Sequence, residues 1–242
     1  MTPKTEMFFS TPVKRGDSGK EFRISATSVS RGEALALYDL VKQSAGPDAM
    51  EIGLAIGGSA VAIAEALDHK GGDGLLVTLD PFQPTVFQNV GLKELERLDL
   101  SHRVKFLPAH AEYFLCESSK AGRRFDFIFI DACHPIGNKM TSTFFADRCL
   151  SPGGILAFHD AFMLSTMACV EYLVRERGYE PIRLRPDSSF KRWARTIKHA
   201  VGRGRWYYAY RIAPCTHRSL VALLKTHCRK IGQDALSARE WS

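Results

Sequence analysis

The chain has 242 residues, of which 45% are hydrophobic and 24% charged, and its formal net charge is +7. This length fits one sizeable α/β domain with a buried core, and the composition is that of a globular protein. No apolar stretch approaches the roughly 20 residues of a membrane-spanning helix, and the apolar patch at Met7–Phe9 is too short for the core of a signal peptide. The six cysteines form no Cys-x-x-Cys pair, so we expect reduced thiols and a cytoplasmic protein.

The chain begins with a polar segment that precedes the first predicted helix. Residues 1–27 are rich in turn formers, and we expect them to form a flexible arm ahead of a single domain at 28–242. A helix is predicted to begin at Ser30, because Ser30 and Glu33 have the spacing of a capping box. It should end near Ser44, since a Gly-Pro pair follows.

Five short apolar runs follow, each separated from the next by a helical-looking segment. Runs that are apolar on both faces and joined by helices are typical of a buried parallel sheet. They lie at Ala49–Ile52, Leu75–Leu79, Val104–Leu107, Phe127–Ile130 and Ile155–Phe158. The sequence therefore predicts an α/β fold with a Rossmann-like, doubly wound sheet and helices on both faces.

The pattern changes after the fifth run. A helix at about Ser165–Arg177 leads to a predicted strand near Pro181–Leu184 and a second, aromatic strand at Trp206–Ile212. The gap between these strands is short for a crossover helix, so we expect an antiparallel final pair. A basic helical insertion is expected at about 186–205, and a further helix at the C-terminus.

A glycine-containing turn follows the first predicted strand, in the segment Glu51-Ile-Gly53-Leu-Ala-Ile-Gly57-Gly-Ser59. Glycines let the backbone approach a ligand, and the helix that follows directs free N–H groups at an anionic group. Taken alone, such a pattern is equally compatible with a structural turn. Asp80 ends the second strand, where a carboxylate can accept both hydroxyls of a ribose. The two features together favour a cofactor site.

Four segments resemble class I S-adenosylmethionine-dependent methyltransferases, in particular the small bacterial group related to catechol and caffeoyl-CoA O-methyltransferases. They are Glu51–Val61, Leu79–Gln83, Phe125–Pro135 and Ala146–Asp160, and the resemblance runs from about Ser30 to Tyr179. It implies that S-adenosyl-L-methionine is the cofactor. Its implied contacts are Glu51, Gly53 and Ser59 at the methionyl part, Asp80 at the ribose, and Ala111 and Glu112 at the adenine. Gly57 and Asp131 are further expected cofactor-binding residues. The family often has a small polar residue at the Ala111 position.

Three candidate groups for the chemistry lie at the ends of the fourth and fifth strands. Asp131 closes the fourth strand, and His159 and Asp160 close the fifth. Adjacent strands lie about 4.8 Å apart, so these side chains can converge where open α/β sheets bind ligands. We expect His134 to be the base that takes the acceptor proton, with Asp131 and Asp160 beside it. The alternative is that His134 only caps the loop before Pro135.

A metal ion is a second way to activate the acceptor. In metal-dependent relatives, residues at the positions of Asp131 and Asp160 would bind a magnesium-like ion, and an Asn would be the third ligand. Here that position is Ala161. A divalent metal such as magnesium therefore stays a candidate, since such ions keep several waters. In the other interpretation the two carboxylates orient His134, His159 or the substrate.

Positive charge is concentrated near the C-terminus. Between Pro181 and Lys230 there are thirteen Lys or Arg and one acid, Asp187, a net charge of +12. The segment Phe190–Val201 has helical spacing of its apolar residues and cations on its other faces. It is either an amphipathic lid or a surface that attracts an anionic acceptor, a peripheral membrane face or nucleic acid.

The functional hypothesis is O-methylation of a small or medium polar acceptor, such as a sugar or a secondary-metabolite hydroxyl. An RNA methyltransferase is the competing enzyme, although the chain lacks an Asn/Asp-Pro-Pro-Tyr type motif and an appended RNA-binding module, which makes nucleic acid the weaker partner. A non-catalytic nucleotide-binding protein is the third hypothesis. A homodimer is compatible with each of them.

Overall fold

The computed structural model describes residues 2–132, 135–184, 197–198, 200–202, 204–205, 207–208, 212–217 and 219–226. The chain begins with helix α1 (Pro3–Ser10), a hairpin of β1 (Val13–Arg15) and β2 (Glu21–Arg23), and the short helix α2 (Ile24–Thr27). The main unit then alternates helices and strands. They are α3 (Arg31–Gln43), β3 (Ala49–Ile52), α4 (Gly58–Lys70), β4 (Leu76–Leu79), α5 (Val90–Arg97), β5 (Val104–Leu107), α6 (Ala111–Lys120), β6 (Phe125–Ile130), α7 (Ile136–Cys149), β7 (Leu150–Phe158), α8 (Leu164–Glu176), β8 (Tyr179–Pro181) and β9 (Val221–Lys225).

Seven strands form the main sheet in the order β5-β4-β3-β6-β7-β9-β8. Strands β3 to β7 are parallel, and β9 is antiparallel to both of its neighbours. The predicted Rossmann-like sheet of five parallel strands with an antiparallel final pair is confirmed. The strand order reverses at β3, so the carboxyl ends of β3, β4 and β6 border the crevice in which such sheets bind ligands.

The position of the last strand differs from the prediction. The predicted aromatic strand at Trp206–Ile212 is wrong for its described residues, since Tyr207, Tyr208 and Ile212 are helical. The strand that pairs with β7 is β9, whose five residues are almost wholly buried. Tyr208 is buried instead beneath the sheet edge, where its hydroxyl donates to the carbonyl oxygen of Ala161 at 2.8 Å. The strand predicted near Pro181–Leu184 also begins earlier, at Tyr179.

The sheet separates two hydrophobic cores, because successive residues of a strand point to opposite faces. On one face Phe127 and Phe129 of β6 pack with α1, α3, α4 and α5. On the other face Ile128 and Ile130 pack with α6, α7 and α8. Helices therefore cover both faces, as predicted. Within the part of the chain that the structure describes, no helix is long and apolar enough to cross a membrane.

Residues 2–27, part of the segment expected to form a flexible arm, contain α1, the β1–β2 hairpin and α2 and contact the main unit. Phe8 of α1 is fully buried, and the carboxylate of Glu65 in α4 accepts bonds from the amides of Lys4 and Thr5 at 2.9 and 2.8 Å. The ammonium of Lys14 lies 2.9 Å from Glu94 in α5. The polar composition gave no sign of these contacts, which are a buried ring, the amide bonds to Glu65 and one buried ion pair.

The predicted capping box of α3 is confirmed. The Ser30 hydroxyl accepts from the Glu33 amide, and the Glu33 carboxylate accepts from the Ser30 amide at 2.8 Å. Helix α3 ends at Gln43, as the Gly-Pro pair predicts.

Candidate active site at the carboxyl edge of the sheet

The turn between β3 and α4 is built for close backbone approach. Gly53 and Gly57 have φ of +101° and +93°, a region that favours glycine. A Cβ at Gly53 would lie 2.7 Å from the carbonyl oxygen of Asp131. The turn after β3 is therefore in contact with the end of β6.

Glu51 lies at the base of this turn and is completely buried. Its carboxylate accepts from the hydroxyls of Ser59 at 2.5 Å and Thr78 at 2.7 Å. Burial raises the pKa of Glu51 to about 8, although the two hydroxyl donors oppose this shift. The group is therefore a neutral acid at the start of helix α4 when the site is free.

Asp80 joins the end of β4 to the turn. One carboxylate oxygen accepts from the Ala55 amide at 2.9 Å and from the side chain of Gln83 at 3.1 Å, and the other accepts from the Phe82 amide at 2.8 Å. Ala55 is held in a left-handed conformation with φ of +44°. A carboxylate oxygen has two lone pairs, so these bonds leave acceptor capacity for a ligand.

The ends of β6 and β7 bring three ionisable side chains together. The Nδ1 of His159 lies 3.1 Å from a carboxylate oxygen of Asp131 and 3.5 Å from one of Asp160. Burial alone would lower the pKa of His159, but the charges of Asp131 and Glu33 outweigh it and raise the pKa to about 10. His159 is therefore a cation at neutral pH, and this corner has an imidazolium between carboxylates.

Glu33 is the second acid beside His159, and it comes from the first turn of α3. Its carboxylate lies 3.6 Å from Nε2 of His159 and is almost fully buried. Burial favours its neutral form, but bonds and charge from His159, with bonds from Ser219 and Ser30, hold the pKa of Glu33 well below its usual range.

The comparisons with known proteins agree with this geometry. No curated protein sequence matches the chain significantly. Residues 50–161 match the model of a family described as a methyltransferase domain. They run from the second residue of β3 past the end of β7 and include the four strand ends described above.

This stretch of the chain is therefore similar to a methyltransferase domain.

Solved structures of O-methyltransferases share the fold of the whole unit. An O-methyltransferase from Bacillus cereus in complex with SAH is 18% identical, with a TM-score of 0.60 and coverage of 82% of each chain. TomG from Streptomyces achromogenes, an O-methyltransferase of tomaymycin synthesis in complex with SAM, is 17% identical, with a TM-score of 0.61 and coverage of 93% of this chain and 97% of TomG. A putative O-methyltransferase from Klebsiella pneumoniae is 19% identical, with a TM-score of 0.60. At these identities the likeness establishes the fold.

Most of the predicted cofactor residues lie together. Glu51, Gly53, Gly57 and Ser59 belong to one turn, Asp80 is bonded to that turn, and the Asp131 backbone touches it. The pair predicted at the adenine lies at the start of α6, after His110, whose ring faces that of Phe82 at 6.1 Å between centroids. Ala111 is buried in the core, and the Glu112 carboxylate accepts from Asn138 at 2.8 Å.

Two features of the domain escaped the sequence analysis. Ser28 has a buried hydroxyl that finds no hydrogen-bond partner among the described residues, and a Cβ on Gly58 at the start of α4 would collide with it. The rings of Phe82, His110 and Tyr113 follow β4 and β5 in a row, with centroids 6.1 and 6.3 Å apart. The row of rings could have been found from the sequence, because aromatic residues follow the ends of β4 and β5. No pattern in the sequence pointed to Ser28.

Asp131 and Asp160, predicted as catalytic residues and metal ligands, do converge. Together with His159 they offer three ligand atoms within 4.8 Å of one another. The separations of 3.1 and 3.5 Å suit atoms that share a proton or a divalent ion. Ala161 is fully buried and offers no ligand atom from its side chain.

Two predictions fall on residues that are not described. His134, the expected base, lies outside the described residues, as does most of the basic segment Phe190–Val201.

Proposed function

We propose that the chain is an S-adenosylmethionine-dependent O-methyltransferase that acts on the hydroxyl of a small or medium polar acceptor. The observation that carries the proposal is the contact between the glycine turn and the Asp131–His159–Asp160 cluster. Methyl transfer is an in-line displacement, so acceptor and methyl donor must be held side by side. Gly53 and Asp131, which touch each other, supply the two sides.

The cofactor side consists of Glu51, Gly53, Gly57, Ser59 and Asp80. S-adenosylmethionine, when bound, supplies a methyl group on a sulfonium. Asp80 keeps a free lone pair for a ribose hydroxyl, and its carboxylate favours a cationic ligand. The unpartnered hydroxyl of Ser28 lies over the start of α4, where it can bond the polar methionyl end. The row of rings at Phe82, His110 and Tyr113 can stack on a purine.

The acceptor side consists of Asp131, His159 and Asp160. With a pKa near 10, His159 is protonated at neutral pH, so it donates a hydrogen bond and does not take the acceptor proton. His134, three residues after Asp131, stays our candidate base. If a divalent ion takes the place of the shared proton, Asp131, His159 and Asp160 would hold it, and it would lower the pKa of the acceptor hydroxyl.

The cofactor assignment is tested by titrating the full chain with S-adenosylhomocysteine in a calorimeter. Asp80→Ala is expected to weaken binding by roughly tenfold or more, because hydrogen bonds to a charged acceptor are worth about 1.5–3 kcal/mol. Asp80→Asn is a second variant that keeps one acceptor oxygen, so it should preserve the fold of the turn if Asp80→Ala does not. Asp68→Ala is the matched control, since Asp68 pairs with Arg103 and His102 on the surface. Unchanged affinity in folded Asp80 variants would refute the assignment.

The reaction is tested with methyl-labelled S-adenosylmethionine and a panel of phenols and sugars, with and without magnesium and chelator. We expect transfer to a hydroxyl, a fall of about 10²–10⁴-fold in His134→Ala if His134 is the base, and a loss in chelator if a metal activates the acceptor. Transfer that survives the double change His134→Ala, Asp160→Ala would place the chemistry elsewhere. We also propose a cytoplasmic location, a homodimer and an anionic acceptor. The four cysteines that the structure describes are free, which agrees with a cytoplasmic location.

A further inference from the structure

The imidazole of His159 is bound on both of its nitrogens. Nδ1 faces Asp131 at 3.1 Å, and Nε2 lies 3.0 Å from the hydroxyl oxygen of Ser219. Ser219 lies two residues before the start of β9, sixty positions further along the chain than His159. The ring therefore has a defined partner behind it as well as in front of it.

Ser219 is itself fixed by three further bonds. Its amide and its hydroxyl donate to the same oxygen of Glu33, at 2.9 and 2.6 Å, and its carbonyl oxygen accepts from the Ala161 amide at 2.8 Å. His217 and Leu220 bridge the turn on either side of it. A hydroxyl has one proton, and here that proton is directed to Glu33. The Ser219 oxygen must then accept from Nε2–H of His159.

We propose that Glu33 and Ser219 are positioning residues, which hold the His159 ring with Nδ1 turned toward Asp131 and Asp160. The inference rests on the proposed methyl transfer at that cluster. The bond from Ser219 fixes which nitrogen faces the acceptor corner, and the carboxylate of Glu33 fixes the direction of the Ser219 hydroxyl. Neither residue belongs to the Asp131–His159–Asp160 cluster. A misplacement of about 1 Å in such a site can lower turnover by about 10²-fold.

Glu33 also supplies a matched control, because its two oxygens have separate tasks. One oxygen accepts from the amide and hydroxyl of Ser30 at 2.8 and 2.6 Å and caps α3. The other accepts from the amide and hydroxyl of Ser219. Ser30→Ala and Ser219→Ala each delete one hydroxyl bonded to the same carboxylate at 2.6 Å. Only Ser219→Ala removes the partner of His159.

The test compares the two variants in the full chain by ¹⁵N NMR of the histidine rings, with and without S-adenosylhomocysteine. The His159 signals are identified by their loss in His159→Gln. We expect Ser219→Ala to shift the Nε2 resonance of His159 and Ser30→Ala to leave it in place. Both variants should lower the melting temperature by similar amounts, because each loses one hydroxyl bonded to Glu33. Identical His159 resonances in both variants would overturn the proposal.

Kinetics on an acceptor identified by the panel above provide the second readout. Ser219→Ala should lower kcat about tenfold to a hundredfold without changing the affinity for S-adenosylhomocysteine, and Ser30→Ala should keep the wild-type kcat. Equal kcat in both variants would show that the bond between Ser219 and His159 does not serve catalysis. If the wild type neither binds the cofactor nor transfers methyl groups, the proposed function fails, whereas the NMR comparison still decides whether Ser219 orients His159.

Discussion

Glu51→Gln should change how the stability of the protein depends on pH. Glu51 is completely buried, and its pKa rises from an ordinary value of 4.5 to about 8 in the folded protein. Between these values the unfolded chain has lost the proton while the folded protein keeps it. The folded state binds more protons, so the free energy of unfolding must fall as pH rises through this window. Glutamine has no proton to lose, and this contribution vanishes in the variant.

The magnitude follows from linkage. One group that differs by a full proton contributes about 1.4 kcal/mol per pH unit. We therefore expect the stability of Glu51→Gln relative to the wild type to increase by about 1.4 kcal/mol between about pH 5.5 and pH 6.5. The changed hydrogen bonds to Ser59 and Thr78 add an offset that does not depend on pH. His159, with its raised pKa, contributes to both proteins and cancels.

The assay is urea denaturation of both proteins at the two pH values, with the free energies taken from the midpoints and slopes. Glu117→Gln, at an exposed carboxylate, is the control for the loss of one acid. If the wild type and Glu51→Gln change stability in parallel, Glu51 is ionised in the free protein. The argument from its burial would then be refuted.

Two further predictions concern the N-terminal helix and the glycine turn. Phe8→Ala should lower the free energy of unfolding by about 3–5 kcal/mol, as expected for a fully buried aromatic ring. Met7 is exposed on the same helix, so Met7→Ala should have little effect. Equal losses in the two variants, measured by urea denaturation, would contradict the packing of α1. Ala55→Gly should raise the melting temperature. Removing the strain of a left-handed alanine stabilises the folded state by about 1–2 kcal/mol, whereas the greater backbone entropy of glycine in the unfolded chain costs about 0.5–1 kcal/mol. A lower melting temperature would show that Ala55 is unstrained.

The central strands could be predicted from the sequence because each is a short, mostly apolar run with a helix after it. Strand β9 was missed although Val221–Lys225 is such a run, because the aromatic residues at 206–212 gave a stronger β signal. Tyr207 and Tyr208 are helical instead. Propensity alone cannot distinguish an aromatic residue in a strand from one that packs beneath a sheet edge.

The candidate site shows a similar division. Asp131 and Asp160 were predictable, since both end a strand at the same edge of the sheet. The roles of Glu33 and Ser219 were hidden, because 186 positions separate them in the chain. The capping box already explained why an acid stands at position 33. A residue whose local role is sufficient gives no sign of a second, long-range role.

The docking of α1 on Glu65 also has a consequence for synthesis. An isolated helix of eight residues is unstable in water, and α1 gains its anchor from a carboxylate that lies 60 positions later. At about 5–20 residues per second, roughly 3–12 s of translation separate the two. Helix α1 must therefore stay unfolded through that interval, until α4 has emerged to receive it.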